Sequence, residues 1–101
     1  MSTYLVERYL PGRDRAWLEE ALAQLPRDDV DVSYLGSLYV PSDESCFCRF
    51  SAPGAENVRR VNELAGVPFA RVVAVIELAV VDETRLYEAG RRVRNWRGDS
   101  R

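Results

Sequence analysis

Apolar residues gather along the chain in two ways, in short runs of strand composition and in stripes spaced by three to four residues. Thr3 to Tyr9 is of the first kind and stops at Leu10-Pro-Gly12, a turn pair. It reads as a strand, with Tyr4, Val6 and Arg8 on one face and Leu5, Glu7 and Tyr9 on the other. Asp14 can then cap a helix in which Trp17, Leu18, Ala21, Leu22 and Leu25 form an apolar stripe before Pro26. Val30 to Val40 and Ser45 to Phe50 are rich in β-branched and aromatic residues, and Pro41-Ser-Asp-Glu44 between them supplies turn chemistry. The pair predicts a hairpin at the middle of a sheet. Ala52-Pro-Gly54 opens a second helix whose stripe is Ala55, Val58, Val61, Leu64 and Ala65, while Glu56, Arg59, Arg60 and Glu63 face water. Gly66 fits the position after its end, and Pro68 prevents continuation. Arg71 to Val81 is nearly all apolar, as a strand covered on both faces is.

The order β-α-β-β-α-β predicts an α+β protein: a ferredoxin-like sandwich with two helices over one face of a four-stranded antiparallel sheet. The expected strand order is four, one, three, two. Helices on one side leave the other sheet face bare, and strands two and four put apolar residues on it. A second copy laid sheet against sheet covers such a face and closes a dimeric α+β barrel, so a homodimer is expected.

At 101 residues the chain suits one domain, expected over residues 1–81. Residues 85–101 carry 6 Arg against 2 acidic residues, whereas residues 1–84 carry 8 Arg against 14. Residues 82–101 are therefore set apart as a basic C-terminal tail, in which Leu86, Ala89, Val93 and Trp96 have the spacing of a short helix. Arginine beside an aromatic suits nucleic acid, but the acidic body and the lack of an RNA-binding aromatic signature argue for a solvated tail or a subunit arm. No apolar run is long enough to cross a bilayer, and the N-terminus has no basic region followed by an apolar stretch, so a cytoplasmic protein is expected. Cys46 and Cys48 lie two apart on one strand, on the same face, and read as core cysteines. The pair could supply half of a thiolate metal site, but the chain has no second pair and no histidine. Asp43 and Glu44 fall far short of a calcium loop.

If Cys46, Cys48 and Phe50 face the helices, alternation sends Phe47 and Arg49 to the bare face, with Glu7 from strand one and Glu77 from strand four. Glu7 is then flanked by Arg49 and Glu77, and Tyr9, Phe47 and Tyr39 wall the cluster. Two carboxylates around one guanidinium can have one proton affinity raised, which is how general acids and bases are made; the same cluster can equally fix strand register or a dimer contact. No phosphate-binding glycine loop, serine nucleophile elbow or histidine-centred arrangement is present.

Tyr4-Leu-Val-Glu-Arg8 before Pro11-Gly12, Ser37-Leu-Tyr-Val-Pro-Ser-Asp-Glu44, Cys46-Phe-Cys48 before Ala52-Pro53, and Ala65-Gly-Val-Pro-Phe69 with Arg71-Val72 form a recognisable series. Over residues 3–80 it resembles the small bacterial nickel-binding proteins of ferredoxin-like fold, most of whose relatives are a domain of unknown function. The resemblance implies a dimeric α+β barrel. In that family nickel binding relies on histidine, including one in strand two; here the comparable stretch reads Tyr34-Leu-Gly-Ser-Leu-Tyr-Val40, with Gly36 or Ser37 in its place, so the scaffold carries over without the ligand.

The leading expectation is a homodimer that binds a small organic ligand at the sheet face or dimer cleft through Glu7, Tyr9, Tyr39, Phe47, Arg49 and Glu77, with no cofactor and no resident metal. A second is a cofactor-independent isomerase, cyclase or monooxygenase-like enzyme using Glu7, Glu77 and the tyrosines. A third is binding of nickel or another transition metal through Cys46, Cys48 and carboxylates.

Overall fold

The structure, a computed structural model, describes residues 1–26 and 29–79. The basic tail of residues 82–101 lies outside the described residues. Six main elements follow one another: β1 (Ser2–Tyr9), α1 (Arg15–Leu22), β2 (Ser33–Val40), β3 (Ser45–Ala52), α2 (Ala55–Ala65) and β4 (Arg71–Val75). The four strands form one antiparallel sheet in the order β2-β3-β1-β4, the order expected from the sequence. Among the described residues no helix is long and apolar enough to cross a membrane.

Local chemistry accounts for the element boundaries. The Asp14 carboxylate accepts from the Trp17 amide at 2.9 Å and caps α1. That helix ends at Leu22 instead of Leu25, because Pro26 disfavours a helical backbone at the residue before it. Tighter turns, Gln24 N–H to Ala21 C=O and Leu25 N–H to Leu22 C=O, finish the segment, and Leu25 still reaches the core. Gly66, at φ 72°, closes α2 with the paired bonds of a Schellman motif, from its own amide to Glu63 and from Val67 to Asn62. β4 stops at Val75, shorter than the expected run to Val81. Among the described residues its only neighbour is β1, which begins at Ser2, so residues beyond Val75 have almost no strand left to pair with. Ile76 and Leu78 are accordingly 87% and 88% exposed in the single chain.

The core lies between the helices and one sheet face. Val6, Cys46, Cys48, Phe50 and Val72 meet Leu18 of α1 and Val58 and Val61 of α2, with Tyr34 set against Phe50 at 5.2 Å between ring centres. Each aliphatic or aromatic side chain buried this way contributes about 1.5–3 kcal/mol.

β2 departs from simple alternation. Tyr34 stands opposite Phe50 and Gly36 opposite Arg49, which leaves Leu35 as an extra residue, a bulge that reverses the parity of everything after it. Ser37 and Tyr39 consequently share the helix-side face with Cys48 and Cys46, while Leu38 joins Phe47 on the bare face. This corrects the placement of Tyr39 on the bare face, which assumed unbroken alternation.

Candidate functional site

On the bare sheet face, Glu7, Tyr9, Phe47 and Arg49 stand as the alternation requires, and Glu77 reaches that face from the segment just beyond β4. They form two separate ion pairs. Glu7 lies directly opposite Arg71 on β4 and accepts from its Nε at 2.9 Å and its Nη2 at 3.0 Å. Arg49, which stands opposite Leu5, donates to Glu77 at 2.6 Å and to the Leu35 carbonyl at 3.3 Å. Register causes the division: Glu7 is level with Phe47 and Arg71, so Arg49 is only its diagonal neighbour. Glu7 and Glu77 therefore do not share a guanidinium, and Arg71, absent from the expected set, takes the place beside Glu7. Exposed apolar side chains surround the pairs, with Tyr9 62% and Leu38 71% exposed.

The opposite face holds a second polar group, inside the core. Arg8 follows Tyr4 and Val6 in the buried phase of β1 and is only 2% exposed. Its Nη1 donates to the carbonyls of Val67 and Pro68 at 3.2 and 3.1 Å, and its Nη2 to Asn62 Oδ1, while Asn62 Nδ2 donates to the Val58 carbonyl at 2.8 Å. Its Nε donates to Cys48 Sγ at 3.4 Å. Ser37 Oγ donates to the same sulfur at 2.8 Å and contacts the Tyr34 hydroxyl, and Cys46 Sγ lies 3.7 Å from Cys48 Sγ. All polar side-chain atoms buried among the described residues are hydrogen-bonded.

These surroundings separate the two thiols. Donation from Cys46, followed by the charge of Arg8 and the bonds from Ser37 and Arg8, outweighs burial and lowers Cys48 to about 6. Cys46, which keeps its proton in that bond and is desolvated, is pushed up. Burial also raises Tyr34. The opposite shifts favour a single proton kept on Cys46 and a negative charge on Cys48, the sulfur that faces the buried guanidinium. A cavity of about 170 Å³ beneath α1 is lined by Cys46, Ser37, Tyr39, Leu18 and Leu22, with the exposed ion pair of Arg15 and Glu19 also at its wall.

Nothing in the sequence reading joined Arg8 to Cys48. The available signal was an arginine in the core phase of β1 with no carboxylate in the same phase of its neighbours. Among the described residues no three His, Cys, Asp or Glu side chains gather as a metal centre would require.

No curated protein matches the chain. Among solved structures, the crystal structure of SCO4226 from Streptomyces coelicolor A3(2) is similar, with a TM-score of 0.69 and 22% identity over 77% of this chain and 100% of that one. At this identity the likeness concerns the fold, and it extends to the two helices and the antiparallel sheet described above. Residues 4–75, from β1 to the last residue of β4, match the family described as nickel responsive protein SCO4226-like. The match takes in both polar groups on the sheet except Glu77, and the chain belongs to the SCO4226-like family of nickel-responsive proteins.

Proposed function

We propose that the protein is a homodimer that binds a small organic ligand between the bare sheet faces of its two copies. The supporting observation is the composition of that face. Exposed Tyr9 and Leu38 border two arginine–carboxylate pairs, Glu7 with Arg71 and Arg49 with Glu77. Apolar area provides the drive to associate, and the paired charges are self-complementary under a two-fold axis. Charged groups set among aromatic and aliphatic walls are also what fixes the orientation of a small polar ligand. The enzymatic alternative is left without the shared guanidinium between Glu7 and Glu77 on which it rested.

The family description brings in nickel, and the donors among the described residues do not fit it. Histidine is absent from all 101 residues. The carboxylates of Glu7 and Glu77 are engaged by arginines, and the thiols of Cys46 and Cys48 form a two-sulfur group beside a buried cation. A transition metal needs more donors than two and no guanidinium against them.

Native mass spectrometry of the protein as purified, with no chelator added, tests the reading. A dimer mass carrying a reproducible organic mass is the expected result. A monomer throughout the micromolar range, or a dimer carrying nickel in place of an organic mass, overturns it.

A further inference from the structure

We infer that Cys46 and Cys48 are a reactive dithiol that small hydroperoxides oxidise, through the cavity beneath α1, to a reversible disulfide within one strand. Three features of the geometry meet here. The two sulfurs are 3.7 Å apart, already in contact. Arg8 and Ser37 both donate to Cys48, so of the two sulfurs it is the one whose anion the surroundings favour, within reach of the Cys46 thiol. Cys46 lines a cavity of about 170 Å³, several times the roughly 30 Å³ that a water occupies, so hydrogen peroxide or a short alkyl hydroperoxide fits against it. A cysteine buried for packing alone needs neither the anion-stabilising donors nor the cavity.

The chemistry balances with the hydroperoxide as the sole co-reactant. The Cys48 thiolate attacks the terminal oxygen of the hydroperoxide. The oxygen–oxygen bond breaks, Cys48 becomes a sulfenic acid, and the departing alkoxide takes the proton of Cys46 to leave as an alcohol. The Cys46 thiolate so formed then attacks the Cys48 sulfur and expels hydroxide. The dithiol has lost two electrons and the hydroperoxide has gained them. Tyr34, Cys46 and Arg8 are the titratable groups around Cys48, and only Arg8 is charged there, which favours the anion throughout.

The disulfide is of the labile kind. Residues two apart on an extended strand have their Cα atoms about 6.7 Å apart, at the upper limit of what a disulfide spans. Closing it puckers β3 and removes the anion facing Arg8, so the bond is strained and readily reduced, as in regulatory rather than structural links.

The test is oxidation of the folded, full-length protein with hydrogen peroxide, followed by denaturing alkylation and intact mass. Wild type should lose both free thiols per peroxide consumed and recover them with dithiothreitol. Cys46→Ser should stop at a sulfenic acid on Cys48 that dimedone captures. Cys48→Ser, whose remaining thiol lacks the donors of Arg8 and Ser37, should react at least tenfold more slowly while its circular dichroism stays that of wild type. Oxidation of Cys48→Ser at the wild-type rate, disulfides formed only between chains, or thiols that resist peroxide until urea is added would each overturn the proposal.

Discussion

Arg8 is a cation in the core with no carboxylate against it among the described residues; its hydrogen-bond partners are three neutral oxygens and one sulfur. The carbonyls of Val67 and Pro68, just past the C-terminus of α2, offer partial negative charge, and Cys48 provides the full countercharge. Cys48→Ala strands that charge and should destabilise the fold by about 3 kcal/mol, the low end for a broken buried pair because the carbonyls remain. Cys46→Ala removes one neutral buried sulfur and should cost about 1 kcal/mol by urea denaturation. The pair also gives stability a pH dependence. Cys48 is drawn down from 9.0 to about 6 on folding, so the unfolded chain binds more protons between those values. Stability should rise with pH across that window, be fully present above 9 and disappear as pH falls through 6. Cys46 acts in the opposite sense, because the folded chain keeps its proton above 9, and stability should decline there. Thermal melts from pH 5.5 to 10 check both arms, and Cys48→Ser should flatten the rise (about pH 5.5 and 10 bracket the ordinary thiol range). Part of this was legible in advance. The buried phase of Cys46 and Cys48 followed from alternation, whereas the thiolate depends on a diagonal contact from Arg8 that spacing alone does not reveal.

Strands and helices were legible wherever the chain obeys a local rule. Asp14 and Gly66 marked their helix ends because capping is short-range, and Asp14→Ala should cost about 1 kcal/mol. The bulge in β2 was not legible, because it depends on how β2 meets β3. Leu35 has no partner, Gly36 takes φ 123°, and the reversed parity puts Ser37 against Cys48. A Cβ at Gly36 would meet no atom within 4 Å, so any penalty there belongs to the backbone and not to crowding. Gly36→Ala should cost about 1–3 kcal/mol. If the strain is relieved by a slip of register, Ser37 turns away from Cys48 and the thiol should titrate closer to 9, which alkylation rate against pH would detect. Unchanged stability in urea together with an unchanged thiol profile would mean that the bulge does not determine where Ser37 points. The end of β4 has a similar origin: its apolar sequence is compatible with a longer strand, but beyond the pair of Thr3 with Val75 only Ser2 of β1 is left to extend it.

At the scale of the whole molecule, the helices satisfy one side of the sheet and leave an imbalance on the other. Leu38 beside Phe47, and Tyr9 at the end of β1, expose apolar area around charges that are already paired with each other. Such exposed pairs add about 0–1 kcal/mol each to a single chain, so folding alone gives little reason for them. Between two copies they lose water together and restrict which register the faces can adopt. Leu38→Asp is a sharp probe, because the side chain is 71% exposed in one chain and its replacement should leave the monomer's circular dichroism and melting nearly unchanged. In a two-fold interface the new carboxylate is introduced twice. Dimer dissociation should then strengthen about a hundredfold, close to 2.7 kcal/mol, in sedimentation at graded concentrations. A variant that dimerises as tightly as wild type would place the contact elsewhere, and the outer edges of β2 and β4, each with one row of backbone donors and acceptors that no strand among the described residues pairs, are then the surfaces to examine. The two arrangements differ in a second observable. Sheet-on-sheet closure would bury Phe47 and shield Arg49 with Glu77 from salt, whereas edge pairing would leave that ion pair in water and indifferent to the oligomeric state.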